Sequence, residues 1–166
     1  MKIFRYICLF MFIVFLSSCE LRPDKDSIVV SEKSFAHWKE MIKLNLEIFE
    51  SEAHDAYVDI YVNELAKEAY EKRLPIYPIG AEVLKPLYGD TEKKRLARLV
   101  VMIKMQKGYD SKNGDWWYGV YDPSGTELWH KGRIQHCIDC HAVAKETDYM
   151  FSEGVMDVIE TQKAFK

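Results

Sequence analysis

The amino-acid sequence predicts an α+β fold with an antiparallel β-sheet as its core. Several short stretches alternate apolar with polar residues, which is typical of strands with one buried face. Other stretches repeat apolar residues at three- and four-residue spacing, which indicates helices, and no regular alternation of strands and helices predicts a parallel sheet. Around the sheet we expect an N-terminal helix, a helix at Cys137–His141 and a C-terminal helix.

Length and composition predict one folded domain. The chain has 166 residues, of which 48% are hydrophobic and 30% charged, enough apolar surface for one core but not for a repeat array or a multidomain enzyme. Asp and Glu number 26 against 23 Lys and Arg, and the net charge is -3. No surplus of basic residues is present to neutralise phosphates, so we expect no nucleic-acid partner.

The N-terminus predicts export. Lys2 and Arg5 precede the apolar run Ile7–Leu16, and small residues follow it, which is the pattern of a secretory signal peptide. The alternative is a membrane-spanning helix, but a span needs about 20 apolar residues and this run is shorter. We therefore divide the chain into a signal peptide at 1–18, a polar tether at 19–30 and a folded domain at 31–166.

The end of the signal predicts a lipid anchor. Leu16-Ser17-Ser18-Cys19 resembles a bacterial lipobox, in which cleavage before the cysteine leaves an N-terminal Cys19 that carries lipid. The alternative is that Cys19 merely lies near an ordinary cleavage site. We expect a protein on the periplasmic side of the bacterial envelope, held at a membrane through Cys19.

Three segments are expected to be helical or extended before residue 75. Apolar residues recur at helical spacing from Ser34 to about Phe49, which predicts the N-terminal helix. Ala56–Val62 alternates with a period of two and predicts a strand. Asn63 is a good N-cap for a short helix through about Arg73.

Most of the sheet is expected between residues 81 and 129. Ala81–Tyr88, Leu96–Met105 and Trp116–Tyr121 have the length and composition of strands. Asp122-Pro-Ser-Gly125 predicts a type I turn, after which Thr126–Trp129 returns as a hairpin partner. Helical spacing within Ser152–Phe165 predicts the C-terminal helix.

One motif carries the chemistry. Cys137-Ile-Asp-Cys140-His141 has the C-x-x-C-H pattern of c-type haem attachment, in which two thiols bind the haem vinyl groups and the histidine binds iron. The alternatives are a zinc site, which lacks a second cysteine pair, and a redox C-x-x-C, which leaves the histidine unexplained. We predict one covalent haem c with its iron on His141.

The position of the motif predicts an open iron site. Only Met150 and Met156 follow it, and both are too near in sequence to reach the opposite haem face easily. Met102 and Met105 lie on a predicted strand and are interpreted as core residues. The expected five-coordinate iron would bind or transform a small molecule, whereas electron-transfer haems have two permanent ligands.

Four ordered motifs give the chain a resemblance to the cytochrome P-460 family, covering about residues 50 to 160. Thr147-Asp-Tyr-Met-Phe151 after the haem motif resembles the family's T-D-x-V-F ending, and Lys104–Trp116 is similar to its K-D-x-x-x-F-x-x-x-x-G-x-W stretch. Tyr61-Val-Asn63 resembles Y-V-N/D, and Gly80–Lys85 resembles G-x-x-x-x-K.

The resemblance implies a role for Lys85. In the family this lysine is bonded to a haem meso carbon, and the implied activity is oxidation of hydroxylamine, with nitric oxide as a further substrate. Electrons would pass to a partner cytochrome, and the resemblance also allows a homodimer. Residues alone leave Lys85 open between a desolvated nucleophile and a lysine that extends to solvent. Two alternatives remain: a nitric oxide- or carbon monoxide-binding protein like the related β-sheet cytochromes c′, and simple electron transfer.

The chain departs from the family at the residues that handle protons. Catalytic members resemble one another in a distal Arg before Y-V-N/D and a carboxylate before C-x-x-C-H. Here the first region offers His54, Asp55 and Val58 but no Arg. Before the motif, Glu127 is the only carboxylate after Asp122. His54 and Glu127 are therefore the candidate proton acceptors.

Overall fold

The computed structural model describes residues 33–165. The strands are β1 (Ile42–Lys43), β2 (Phe49–Ser51), β3 (Ala56–Val58), β4 (Tyr61–Val62), β5 (Glu82–Tyr88), β6 (Leu96–Lys104), β7 (Trp116–Tyr121) and β8 (Leu128–Gly132). The α-helices are α1 (Glu64–Glu71), α2 (Gln135–His141) and α3 (Ser152–Ala164). The predicted signal peptide, Cys19 and the tether lie outside the described residues.

All the strand pairs are antiparallel, as the sequence predicts. The order along the sheet is β1-β4-β5-β6-β7-β8, and β2 joins through β3, which pairs with β5 beside β4. The long central strands β5, β6 and β7 have a register in which Lys85 pairs with Val100, and Val100 with Val120. This register decides which side chains share a face.

The two faces of the sheet are covered by different parts of the chain. One face packs on the segment before β1 and buries a cluster made of Phe35, Trp38, Leu84, Leu99, Val101, Ile103, Trp117 and Tyr121. The other face, which includes Val83, Met102 and Tyr118, packs against the three α-helices. Because side chains alternate along a strand, Lys85 shares this second face with Val83.

The prediction of an N-terminal helix over Ser34–Phe49 is wrong. The segment forms a 3-10 turn at Trp38–Glu40 and then strands β1 and β2. The Asn45 side chain accepts from Ile60 N at 2.8 Å and donates to Asp59, so it ties this segment to the sheet. Tertiary pairing therefore outweighs the helical spacing of the apolar residues, which is only a weak local preference.

The predicted strand at Ala56–Val62 is divided into β3 and β4. Asp59, in the gap, is 1% exposed and forms ion pairs with Lys43 at 2.9 Å and Lys93 at 2.5 Å. A buried carboxylate needs oppositely charged partners. The regular strand pairing is interrupted at Asp59, where the side chain contacts Lys43 and Lys93.

The other predicted elements are confirmed to within a few residues. Asn63 caps α1 by accepting from Ala66 N at 3.0 Å, and α3 extends over Ser152–Ala164. The turn between β7 and β8 is closed by a bond from Gly125 N to the carbonyl of Asp122 at 3.0 Å. No helix among residues 33–165 is long and apolar enough to cross a bilayer.

Candidate functional site

A cavity of about 350 Å³ lies between the helical face of the sheet and the start of α2. This volume is within the range of about 300–1,000 Å³ that small-molecule sites occupy. The three central strands form its wall, which consists of Val83 and Lys85 of β5, Arg98, Val100, Val101 and Met102 of β6, and Tyr118, Gly119 and Val120 of β7. The sheet therefore supplies an apolar wall that carries two cationic side chains.

Helix α2 brings the haem motif to this cavity. Cys137, Cys140 and His141 all border it, because residues separated by three and four positions lie on one side of a helix. Both thiols are free and half-buried. Burial, followed by the nearby Cys140 sulfur, raises the pKa of Cys137, so this side chain is held as a neutral thiol.

The His141 ring has one nitrogen engaged and one free. Its Nδ1 lies 2.6 Å from the carbonyl oxygen of Tyr149, which can only accept, so Nδ1 carries the proton. Burial lowers the pKa of His141 to about 4, which leaves the imidazole neutral. Nε2 consequently keeps its lone pair, on a ring that borders the cavity. This is the tautomer that binds a metal through Nε2.

Lys85 faces the same cavity as the haem motif. Burial lowers its pKa to about 8, with the nearby Cys140 sulfur acting weakly in the opposite direction. A large part of the amine is therefore uncharged at mildly alkaline pH, and an uncharged amine is nucleophilic. The sequence left Lys85 open between a desolvated and a solvated side chain, and in the structure this side chain is partly buried and borders the cavity.

A second group of polar side chains borders the cavity, from the turn before β3 and from β6. His54 and Asp55 belong to the turn and Arg98 to β6. His54 Nδ1 is 2.9 Å from Ser51 Oγ, and burial, then the positive charge of Lys85, lowers the pKa of His54 to about 3. Asp55 has a left-handed backbone, with φ of 47°.

Sequence reasoning missed Arg98 and Asp55. The signal for Arg98 was its even spacing from Val100 and Met102 on one strand, but knowing which strand face holds the site required the register with Lys85. Asp55 is the left-handed residue that follows the 3-10 turn Glu52–His54, and the local sequence gave no pattern that assigns it to the site.

Some predicted residues lie away from the cavity. Glu127 is exposed in the loop between β7 and β8, where its backbone N–H donates to Asp122 at 2.8 Å, so it is not brought to the other candidate groups. Met150 and Met156 are core residues. Met102 packs in that core and also borders the cavity, and exposed His136 lies at the cavity rim.

Comparison with protein families tests the resemblance that the sequence motifs predict. The model of the Cytochrome P460 family matches residues 32–152, most of the chain and all of the cavity. The chain belongs to the cytochrome P460 family. It is therefore a c-type haem protein, and the predicted resemblance is confirmed. No curated protein matches the sequence.

The cavity residues fit the haem that the P460 family implies. Two free thiols and an imidazole with an available Nε2 border one apolar space, the donor set that c-type attachment uses. The buried Tyr118 hydroxyl has no hydrogen-bond partner among residues 33–165, which fits a site completed by a further group. In residues 33–165, no three His, Cys, Asp or Glu side chains converge as an alternative metal site.

Proposed function

We propose that this P460-family chain is a mono-haem oxidoreductase that oxidises hydroxylamine, with nitric oxide as a further substrate, and passes electrons to a partner cytochrome. Cys137 and Cys140 would hold one haem through their thiols, and His141 would bind its iron. The observation that carries the proposal is the position of Lys85, which faces the same cavity as these three residues. When bound, the haem supplies an iron with an open position and the capacity to accept electrons.

Lys85 is proposed to modify the haem by a bond from Nζ to a meso carbon. Its amine is desolvated and partly uncharged, as such an attack requires. Such a bond would replace one N–H and one C–H bond, and a peroxide-class oxidant would accept the two electrons and two protons released. An amine attached to the ring alters its conjugation and thereby the potential of the iron.

Arg98, Asp55 and His54 are proposed to handle the substrate. The neutral His54 imidazole can exchange hydrogen bonds with hydroxylamine without adding charge, because its pKa is low. Arg98 offers fixed donors to a substrate oxygen, and Asp55 offers a carboxylate to accept a proton. Arg98 would replace the Arg that catalytic family members have before Y-V-N/D, and Asp55 would replace their carboxylate before C-x-x-C-H.

A second candidate function is binding of nitric oxide or carbon monoxide without turnover. It is favoured by the apolar character of much of the wall, including Val83, Val100 and Val120. Asp55 is the only carboxylate among the described cavity residues, and it is exposed. Small uncharged gases bind in such surroundings without a proton acceptor.

Lys85→Leu distinguishes the two functions. We expect the variant to retain haem, because Cys137, Cys140 and His141 are unchanged, but to lose hydroxylamine oxidation while still binding nitric oxide. Steady-state turnover and nitric oxide titration measure both properties. Lys67→Leu, at a partly exposed position of α1 outside the cavity, is the matched control and should behave as wild type. Undiminished turnover in Lys85→Leu would exclude the proposed role of Lys85.

A further inference from the structure

We propose that the buried ion pair of Lys104 and Asp148 is a positioning device for His141. The pair fixes the backbone carbonyl that accepts the Nδ1 proton of His141, and thereby sets how strongly this imidazole donates to iron. The inference rests on the part of the proposed function in which His141 ligates the haem. It does not depend on the substrate or on the modification by Lys85.

The segment that carries this carbonyl has an unusual backbone. Asp148 and Tyr149 are consecutive residues with φ of 54° and 64°. Both lie in the left-handed region, which is unfavourable for residues other than glycine. Such a conformation persists only where surrounding contacts impose it. It turns the chain after the 3-10 segment Ala142–Thr147 so that the Tyr149 carbonyl meets His141.

Asp148 supplies the contacts that join this segment to the sheet, in addition to the local bond from Tyr149 N to the Ala144 carbonyl at 2.8 Å. Both of its carboxylate oxygens accept from Lys104 Nζ at 2.6 Å, and one also accepts from Tyr77 N at 2.8 Å. The backbone carbonyl of Asp148 accepts from Trp116 Nε1 at 2.7 Å. Strands β6 and β7, through Lys104 and Trp116, therefore hold this residue from both its side chain and its backbone.

Tyr149 is held independently at the far end of its side chain. Its hydroxyl donates to the carbonyl of Lys112 at 2.8 Å. Its ring covers Gly114 so closely that a Cβ there would lie 2.4 Å from a ring carbon. Lys104 Nζ also donates to the Gly114 carbonyl at 2.7 Å, so one lysine braces both segments.

Stability alone does not explain the buried ion pair of Lys104 and Asp148. Lys104 and Asp148 are 7% and 8% exposed, and a buried ion pair brings little net stability because both charges are desolvated. The pair instead holds the segment whose Tyr149 carbonyl oxygen lies 2.6 Å from His141 Nδ1. A strong hydrogen bond to Nδ1 gives the imidazole more anionic character, which strengthens its bond to iron and favours the ferric state.

The test is Asp148→Asn in the haem-loaded protein. Asparagine keeps the shape but removes the charge, so Lys104 no longer holds the segment and the Nδ1 hydrogen bond weakens. We expect a lower iron–histidine stretching frequency in the resonance Raman spectrum of the ferrous protein and a higher reduction potential. The double variant Lys104→Gln/Asp148→Asn leaves no unpaired buried charge, should show the same two shifts, and decides the question if the single variant does not fold.

Asp59→Asn is the matched control. Asp59 is also buried and paired with two lysines, but its contacts are with Asn45, Lys43 and Lys93, away from His141. It should lose stability without moving the iron–histidine band or the potential. The proposal is overturned if the folded Asp148 variants keep both properties of the wild type, or if Asp59→Asn shifts them equally. Loss of hydroxylamine activity in any variant leaves these readouts interpretable, since neither measures turnover.

Discussion

Single charged side chains on an apolar wall give the site its chemistry. Lys85 and Arg98 border the cavity from neighbouring strands, where the sheet wall otherwise consists of valine, methionine, tyrosine and glycine residues. Burial keeps His54 and His141 neutral and lowers the pKa of Lys85 to about 8. The same physical effect, desolvation, thus favours the uncharged form of the proposed ligand, the proposed hydrogen-bonding group and the proposed nucleophile.

Arg98→Leu tests the substrate-binding role of the guanidinium. Loss of a hydrogen bond from a charged donor costs about 1.5–3 kcal/mol, so KM for hydroxylamine should rise by roughly 10- to 100-fold. Steady-state kinetics measure this change, and Arg98→Lys should recover part of it. Arg95→Leu, an exposed arginine bonded to Asp90 outside the cavity, is the control. A variant that loses haem instead of affinity would show that Arg98 holds the cofactor and not the substrate.

His54 makes stability depend on pH. Its folded pKa of about 3 lies below the ordinary 6.5, so the unfolded chain binds more protons between these values. The free energy of unfolding should therefore fall as the pH falls from about 6.5 towards 3. The slope due to His54 should be less than the ~1.4 kcal/mol per pH unit of one full proton, because solvent reaches the side chain. Urea unfolding of His54→Gln should show a shallower pH dependence, and an unchanged slope would contradict the assignment.

At the scale of elements, prediction succeeded where local pattern and tertiary environment agree. Strands β5, β6 and β7 combine β-forming residues with burial, and α1 begins at a residue suited to cap it. It failed over residues 34–49, where helical spacing of apolar residues coincides with backbone pairing to β4. Long-range contacts such as that of Asn45 with Ile60 N leave no trace in a local pattern.

Asn63→Ala tests how α1 is joined to the sheet. The Asn63 carboxamide oxygen accepts from Ala66 N at 3.0 Å and Glu82 N at 3.1 Å, and its amide donates to the Gly80 carbonyl at 2.7 Å. Loss of a cap alone costs about 1 kcal/mol, and the bonds to β5 should raise the cost to about 2 kcal/mol or more. Asn63→Asp keeps the acceptor and should lose less. Equal stability of wild type and Asn63→Ala in urea unfolding would contradict this account.

At the scale of the whole molecule, the two faces of the sheet differ in what they pack against. One face packs on the chain before β1, while the other carries the helices and the cavity. The sequence identified Cys137, Cys140 and His141 because their spacing is local, and Lys85 through the family resemblance. It could not identify Arg98 or Asp55, because their nearness to the motif depends on how distant segments pack.

Export and anchoring are also proposals at this scale. Leu16-Ser17-Ser18-Cys19 leads us to propose a periplasmic protein held at a membrane by lipid on Cys19. Cys19→Ser should abolish lipidation and move the protein from the membrane to the soluble fraction of the envelope. Fractionation with an antibody to the folded domain measures this. A Cys19→Ser protein that remains in the membrane fraction would contradict the anchor.

The central claim is that Lys85 and the haem motif act on one haem, and peptide mapping of the wild-type protein by mass spectrometry tests it most directly. We expect a haem-bearing peptide from Cys137–His141 joined to a second peptide that contains Lys85, with a mass lower than the sum of the two by two hydrogen atoms. The absorption spectrum of the reduced protein should differ from that of an ordinary c-type cytochrome and revert to it in Lys85→Leu. An unmodified Lys85 peptide together with an ordinary c-type spectrum in the wild type would contradict the claim and favour the gas-binding function.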